Sequence, residues 1–298
     1  MKKIFVLFCI VLIPHYISAQ SAGQSGLSFL KIGSGARNIA LGDNGATLAN
    51  DATAIFYNPA NLYDARSEIF VMHNKWIQDV AAEAIAVKFS LFGVPFGIGF
   101  NSTSVSDIEI RTLPGEPDGI FNAHYFAGTI GTALEIIPNL SAGAAMKYLY
   151  ENIYSDESTG FGYDFGLSYK YSDNLSGSAV VRNIGSMSIL RNEKTKLPTE
   201  IKFGAVYNLP VIQNLFASLV SVEYQKYTAT NDIHINFGIE TIYNSLAALR
   251  LGYMTAYQSK GFTAGLGFKW NIIDVDYAFT PFNYSLGSSH TVSLRAAL

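Results

Sequence analysis

Two carboxylates near the end of the chain, Asp274 and Asp276, have a residue type and a spacing that acid–base chemistry could use. Residues two apart point to the same side of a β-strand, and the flanking Ile273, Val275 and Tyr277 are apolar, as in an alternating strand. The sequence places no nucleophile beside the pair. We therefore interpret the two carboxylates as part of a polar stripe and not as a catalytic site.

The histidines and the cysteine offer no ligand set for a metal. After His15 in the N-terminal stretch, the histidines are His73, His124, His234 and His290, which are scattered, with no His-x-His pair and no pair at helical spacing. The single cysteine, Cys9, lies in the N-terminal apolar run, so a disulfide or a Cys-ligated metal site cannot be built. A hydrolase triad cannot be identified from scattered residues. We predict no catalytic residue, no metal, no cofactor and no enzymatic activity.

Two short motifs near the N-terminus have structural explanations. Gly33-x-Gly35 is not followed by a third glycine, since Asn38 occupies that position, and no strand precedes it, so close backbone packing explains it better than a dinucleotide loop. Asn58-Pro59 is the sharper motif, because proline fixes its own φ and favours an extended Asn58. An ordinary turn and a gating or ligand-contact role both fit this pair.

The composition is unusual for a soluble protein. The chain has 298 residues, of which 49% are hydrophobic and only 14% are charged, whereas soluble domains carry about a quarter charged residues. This apolar content excludes a disordered chain. The net charge of −3 gives no electrostatic basis for binding nucleic acid.

The first residues resemble a secretory signal peptide. A basic start is followed by an apolar run from Ile4 to Ile13 and by the small residues Ser18 and Ala19. We predict cleavage after Ala19, so residues 1–19 form the signal peptide. A membrane anchor is the alternative, but a spanning helix needs about 20 apolar residues and the run is too short.

The dominant pattern from Glu68 onward has a period of two, which is the strand period. One segment shows it clearly, where Phe262, Ala264, Leu266, Phe268 and Trp270 alternate with small or polar residues. A soluble sandwich would also alternate, but these strands reach about 10 residues, end in aromatic residues and carry Gly, Ser, Asp and Lys on the other face. We therefore predict an all-β fold, in which residues 67–298 form a transmembrane antiparallel β-barrel of about 14 strands.

The connections and the polar face complete this prediction. Tight turns near residues 92–94, 137–139, 172–174, 244–245 and 270–271 alternate with longer loops at 106–122, 152–159, 184–197 and 282–289. The polar stripe that we expect to line the lumen comprises Asp232, His234, Lys269, Asp274 and Asp276.

Residues 20–66 lack strand-length alternation and are rich in Gly and Ala. A segment of this size could hardly build its own core, so we predict a plug that fills the lumen and is stabilised by the barrel wall. A cluster of apolar residues, Phe29, Leu30, Ile39, Leu41, Ile55, Phe56 and Tyr57, could line a pocket there.

Part of this segment resembles a known family. The run FLKIGSGARNIALGDNGATLANDATAIFYNPANL, residues 29–62, is similar to the opening of PorV/PorQ-family barrels, which are FadL-like. The matching positions are Phe29, Gly33, Gly35, Ala36, Arg37, Gly42, Asp51, Ala52, Tyr57, Asn58, Pro59 and Ala60. The resemblance implies a fourteen-stranded barrel with an N-terminal plug, in the outer membrane of a Gram-negative bacterium of the Bacteroidetes kind.

Two functions follow from the resemblance. PorV and PorQ belong to type IX secretion and surface attachment, which implies a non-enzymatic component whose partners are outer-membrane lipid and either other secretion proteins or secreted cargo. The alternative is a FadL-like channel for uptake of hydrophobic small molecules. In both cases the residues expected to contact a ligand or partner from the plug are Phe29, Arg37, Phe56, Tyr57, Asn58 and Pro59.

Overall fold

The computed structural model describes residues 25–63, 66–212, 215–230 and 232–298. The predicted signal peptide, residues 1–19, lies outside the described residues. Fourteen strands of the described chain form one closed antiparallel barrel in which each strand pairs with its neighbours and β1 pairs with β16. The predicted transmembrane barrel is therefore confirmed. The barrel strands are β1 (Glu68–Lys75), β2 (Val80–Leu91), β3 (Val94–Ile110), β4 (Gly119–Ile137), β5 (Leu140–Ile153), β6 (Asp156–Lys170), β7 (Leu175–Met187), β10 (Glu200–Asn208), β11 (Phe216–Tyr227), β12 (Ile233–Tyr243), β13 (Ala247–Met254), β14 (Phe262–Trp270), β15 (Ile273–Pro281) and β16 (Ser288–Ala297).

The remaining elements are short. Strands β8 (Ile189–Leu190) and β9 (Glu193–Lys194) form a separate hairpin in the connection between β7 and β10. Before β1 the chain forms a 3-10 helix (Ser28–Lys31), three helices, α1 (Ala36–Ala40), α2 (Gly45–Leu48) and α3 (Ala54–Tyr57), and a second 3-10 helix (Pro59–Tyr63). In the part of the chain that the structure describes, no helix is long and apolar enough to cross a membrane.

The period of two decides which side chains face outward. On β12, Phe237 and Ile239 are exposed, whereas the flanking residues Asn236 and Glu240 are buried. Leu249 of β13 lies opposite Leu266 of β14, and both are exposed. The outer surface is therefore apolar and suited to lipid, because a lipid-facing position strongly disfavours charge.

The two ends of the barrel differ. The end that carries the connections after β2, β4, β6, β10, β12 and β14 also carries the C-terminal Leu298, and we call it the turn end. The opposite end, the loop end, carries the connections after β1, β3, β5, β7, β11, β13 and β15. One expected loop is absent: residues 152–159 form a tight hairpin in which Tyr154 and Ser155 join β5 to β6. The expected loop at 106–122 shrinks to 111–118 because β3 and β4 extend beyond the barrel mouth.

The N-terminal segment, residues 25–63, packs against the inner wall. Its helix α1 contacts β13 to β16, α2 contacts β7 and β10, and α3 contacts β3 and β4. Where the wall contacts the segment it often has glycine, because a side chain at these wall positions would collide with the segment. For example, a Cβ added at Gly238 would lie 2.6 Å from Leu41 O, and one at Gly131 would lie 2.8 Å from Ile55 Cδ1. The inward glycines that contact the segment in this way are Gly97, Gly99, Gly131, Gly143, Gly166, Gly204, Gly238, Gly252 and Gly265.

Candidate functional site in the barrel lumen

Ion pairs join neighbouring strands around much of the inner wall, and we call the residues that form them the charge belt. From β5 to β11 all of these side chains are buried. The pairs there are Lys147–Asp164 (2.7 Å), Arg182–Glu200 (2.8 Å) and Lys202–Glu223 (3.0 Å). An unpaired charge in such an interior is strongly disfavoured, so each charge requires its partner on the next strand.

The charge belt continues from β12 to β16. Arg250 on β13 lies 2.5 Å from Glu240 on β12 and 2.6 Å from Asp276 on β15, so it reaches across Gly267 on the inner face of β14. Arg295 on β16 forms an ion pair with Asp274. Arg250 and Arg295 were not predicted from the sequence, although each lies between apolar neighbours in its strand, and such alternation indicates an inward charge.

Strands β3 and β4 interrupt the charge belt. Between Pro95 and Val105 on β3, and between Ala123 and Ala133 on β4, the inward side chains are uncharged. We call this sector the uncharged gap. Its central residues are Gly97, Gly99, Asn101 and Thr103 on β3 and Ala127, Thr129 and Gly131 on β4. An apolar molecule beside this part of the wall would not displace an ion pair.

Apolar side chains of the N-terminal segment lie against the uncharged gap. The ring of Phe29 stacks on Tyr125 of β4, with 5.6 Å between ring centroids. Phe56 is buried against Gly99, where an added Cβ would lie 2.5 Å from its ring. Nearer the loop end a buried apolar cluster surrounds Phe29. Its members are Leu27, Phe29, Leu30, Ala127, Leu149, Met187 and Leu197.

Two small cavities adjoin these side chains. The first is bordered by Phe29, Phe56 and Thr129 on the side of the uncharged gap and by Lys147 and Arg182 on the side of the charge belt. The second is polar and is bordered by Asp43, Tyr57, Arg182, Glu200 and Lys202 among others. Each has room for about one water molecule. Leu30, Ile32, Ser34, Phe56 and Arg182 line both cavities. A larger molecule could enter only if part of the N-terminal segment moved.

Three of the residues predicted to contact a ligand or partner hold the segment in place in the structure. Arg37 donates from Nε and Nη2 to the two carboxylate oxygens of Glu240, at 3.0 and 2.8 Å. Asn58 is extended, as its position before proline predicts, and its amide nitrogen donates to Ala46 O at 3.0 Å and Leu167 O at 3.2 Å. Pro59 begins the second 3-10 helix and lies against Gly143.

Tyr57 both holds the segment together and borders a cavity. Its hydroxyl donates to Asp43 Oδ1 at 2.5 Å and accepts from the backbone N–H of Ser34 at 2.9 Å, so it ties α3 to two earlier turns of the segment. It also borders the polar cavity. Of the six predicted plug contacts, Phe29 and Phe56 are therefore the pair that the structure brings together at the uncharged gap.

The predicted polar stripe does not form one continuous track. Asp232 and His234 lie near the loop end, and the His234 ring stacks on Tyr257 with 3.7 Å between centroids. Asp274 and Asp276 belong to the charge belt on the half of β15 nearer the turn end. Lys269 is exposed close to the turn end, 3.8 Å from Asp274.

The described residues contain no group of three or more His, Cys, Asp and Glu side chains that could hold a metal ion. Their charged groups in the lumen are satisfied mainly by one another, and the N-terminal segment fills the space between them. The inner wall therefore has a charged sector and an uncharged sector. Phe29 and Phe56 of the N-terminal segment cover the uncharged sector.

Comparison with known proteins gives the fold. No family model and no curated protein matches the sequence. Among solved structures, the CymD monoaromatic hydrocarbon channel matches with a TM-score of 0.61 and 12% identity, over 89% of this chain and 98% of that chain. The Pseudomonas putida toluene transporter TodX matches with a TM-score of 0.60 and 13% identity, over 89% of this chain and 96% of that chain. At such low identity the similarity shows the fold alone, which is that of outer-membrane barrel channels.

Proposed function

We propose that this protein is an outer-membrane channel for hydrophobic small molecules and that its N-terminal segment is the plug. The observation that carries the proposal is the uncharged gap, where the charge belt is interrupted and apolar side chains of the segment face β3 and β4. An apolar solute gains no favourable free energy from contact with charged groups. Contact with uncharged and aromatic side chains does stabilise it when it leaves lipid or water.

The segment divides into a firmly held part and a loosely held part. From residue 35 to residue 58 the barrel wall binds its backbone directly. Ala36 N donates to Ser293 Oγ at 3.1 Å, Ala46 N donates to Glu223 Oε2 at 2.8 Å, and Ala52 N donates to Glu68 Oε2 at 2.9 Å. This part would stay in place during transport.

Residues 25–34 make fewer hydrogen bonds to the wall, such as the one that Asn101 Nδ2 donates to Ser34 Oγ at 3.0 Å. Gly26 N donates to Lys196 O at 3.0 Å, and that acceptor belongs to a loop and not to the wall. Phe29 is held by stacking, and the Lys31 ammonium lies 4.7 Å from the ring centroid of Tyr227. Burial lowers the pKa of Lys31, because leaving water disfavours the charged ammonium. Displacement of residues 25–34 would join the two cavities into one passage.

An apolar surface leads from the loop end to this site. Strands β3 to β6 are 14 to 19 residues long, whereas β12 to β16 have 8 to 11. On the longer strands Ala123, Tyr125 and Leu149 continue the inner face above Phe29. A hydrophobic molecule that arrives at the loop end would meet these side chains, together with the buried carboxyl group of Glu151 beside Tyr125, before it meets the charge belt.

The alternative function is a role in type IX secretion or surface attachment, which the PorV/PorQ resemblance implies. No feature of the lumen specifically favours it, whereas the solved structures with the same fold include proteins described as a hydrocarbon channel and a toluene transporter. The proposed orientation places the turn end in the periplasm and the loop end outside, in keeping with short periplasmic turns and longer external loops.

Uptake of radiolabelled toluene by cells that express the protein tests the channel. Thr129→Trp would fill the cavity at the uncharged gap, and we expect it to lower uptake several-fold. The matched control is Ile130→Trp, which places the same side chain on the outer surface, where residue 130 is exposed. Heat-dependent gel mobility verifies that both variants are folded.

Two outcomes would contradict the proposal. One is uptake by the wild type that does not exceed that of cells without the protein. The other is equal uptake by Thr129→Trp and Ile130→Trp. Stable protein partners after extraction in mild detergent, together with absent uptake, would favour the secretion role instead.

A further inference from the structure

Three side chains on the outer face of β15 and β16 form a hydrogen-bonded chain. His290 Nε2 lies 3.0 Å from Ser288 Oγ, and His290 Nδ1 lies 2.7 Å from the hydroxyl of Tyr277. We infer that Ser288, His290 and Tyr277 form an esterase site that acts on acyl esters of lipids at the surface of the barrel. The inference is independent of the channel function, because the site lies outside the lumen.

The strand geometry explains why these residues meet. Ser288 and His290 are two apart on β16, so both point to the same side. Tyr277 on β15 lies opposite Val292, and its side chain reaches diagonally to His290. Ser289, between the serine and the histidine, points inward and is buried. The sequence could not reveal the group, because its members become neighbours only through the pairing of β15 with β16.

The hydrogen bonds assign a role to each group. When Nδ1 carries the ring proton and donates it to the Tyr277 oxygen, Nε2 is free to accept the hydroxyl proton of Ser288. Serine is then the nucleophile, and histidine is the general base. Tyr277 is a positioning residue, since it acts on the substrate only through the orientation of the imidazole.

The position of the site matches that of a lipid ester. Ser288 is the first residue of β16 and follows the loop at the loop end. Towards the turn end on the same face, Val292 and Leu294 are exposed and would contact acyl chains. Ester linkages lie between the hydrocarbon region and the head groups of a bilayer, so a lipid alongside these residues would present its carbonyl near Ser288.

The reaction proceeds in two balanced steps. Ser288 Oγ attacks the ester carbonyl as its proton passes to His290 Nε2, and the C–O bond to the alcohol breaks when that proton is transferred to the leaving oxygen. Water then attacks the acyl-serine, with His290 again taking and returning the proton, which releases the acid and restores the serine. Lys75 lies opposite His290 on the same outer face, and its ammonium is the candidate to stabilise the negative oxygen of each tetrahedral intermediate.

Reaction of the purified protein in mixed micelles tests the inference. A fluorophosphonate should bond to Ser288 with loss of fluoride, and p-nitrophenyl octanoate should be hydrolysed. Ser288→Ala should abolish labelling, and both Ser288→Ala and His290→Ala should lower hydrolysis at least about 100-fold, as loss of a nucleophile or general base does. The control is Ser289→Ala, which removes a neighbouring hydroxyl that instead donates to Asn74 inside the barrel. It should label and hydrolyse like the wild type.

A further variant separates positioning from folding. Tyr277→Phe removes the acceptor of the Nδ1 proton, so it should lower kcat about tenfold with KM unchanged, and it should move the acid limb of the pH–rate profile to lower pH because the imidazolium loses stabilisation. A merely structural role would reduce the amount of folded protein and leave that limb in place. The inference is wrong if wild-type protein is not labelled, or if Ser288→Ala hydrolyses the ester as fast as Ser289→Ala.

Discussion

Arg37 and Glu240 are 203 residues apart in the chain, and the guanidinium of the first binds both carboxylate oxygens of the second. Glu240 also accepts from Arg250, so one buried carboxylate joins the N-terminal segment to the charge belt. The pKa of Arg37 is raised, because its attraction to Glu240 outweighs the effect of burial. The carboxylate of Glu240 therefore neutralises Arg250 of the wall and also binds Arg37 of the segment.

This linkage gives unequal effects for the two partners. Glu240→Gln would leave the partly buried guanidinium of Arg37 without its carboxylate and the buried guanidinium of Arg250 with Asp276 alone. It should lower the free energy of unfolding by about 3–5 kcal/mol. Arg37→Met should cost less, because Glu240 keeps Arg250. Urea titration of the purified barrel in detergent measures both, and the double variant gives the coupling. Equal costs for the two single variants would mean that Arg250 does not compensate Glu240.

The glycine contacts predict a local change that loosens the segment and leaves the barrel intact. A Cβ at Gly252 would collide with the backbone nitrogen of Gly42, so Gly252→Ala should displace the segment there and make residues 25–63 more sensitive to protease. Gly177→Ala is the control, since an added Cβ at Gly177 would lie 3.5 Å from the nearest atom. The prediction fails if the two variants are cleaved at the same rate.

Deletion of residues 25–63 should leave a barrel that still forms. The closing contact is between β1 and β16, and the segment takes no part in it. The truncated barrel should be leakier and melt at a lower temperature, since the buried surface of the segment is lost. Single-channel conductance and thermal melting measure these effects. If neither changes, the segment does not act as a plug.

The outer face should reject charge. Leu266→Arg, at the middle of β14, should cost about 2–4 kcal/mol in lipid. Leu113→Arg places the same side chain in the loop between β3 and β4 and should cost close to nothing, although residue 113 is also exposed. Unfolding in lipid vesicles gives both values. A similar cost at the two positions would indicate that the outer face of β14 is not in contact with lipid.

A charge at Asn236 on the inner face should also be costly. The alternation that places Phe237 outside predicts only that Asn236→Arg in the lumen is tolerated better than Phe237→Arg. Asn236 is fully buried, however, and neither polar atom of its side chain has a hydrogen-bond partner among the described residues. A longer side chain there would have to displace packed neighbours, so we expect Asn236→Arg to be destabilising as well.

The predictable part of the structure is the part that local pattern determines. The alternation at Phe262 to Trp270 indicates both strand and outward face, because lipid demands one kind of side chain at every second residue. The ion pair between Arg37 and Glu240 could not be predicted, since it depends on which strands become neighbours of which helix. The contact of Tyr277 with His290 could not be predicted for the same reason. The polar residues around Tyr154 suggested a long loop, whereas the structure has a two-residue turn there.

The closure of β1 on β16 has a consequence for the order of assembly. Glu68 pairs with Ala297, and helix α1 inside the barrel contacts β13 to β16, which lie more than 200 residues further along the chain. The N-terminal segment therefore cannot reach its final contacts until these strands have joined the barrel. Such long sequence separation makes ring closure slow, because the chain must lose the entropy of a long loop before any closing contact forms. The segment must lie inside the barrel before β1 pairs with β16. We therefore expect docking of the β15–β16 hairpin to be the step that completes folding.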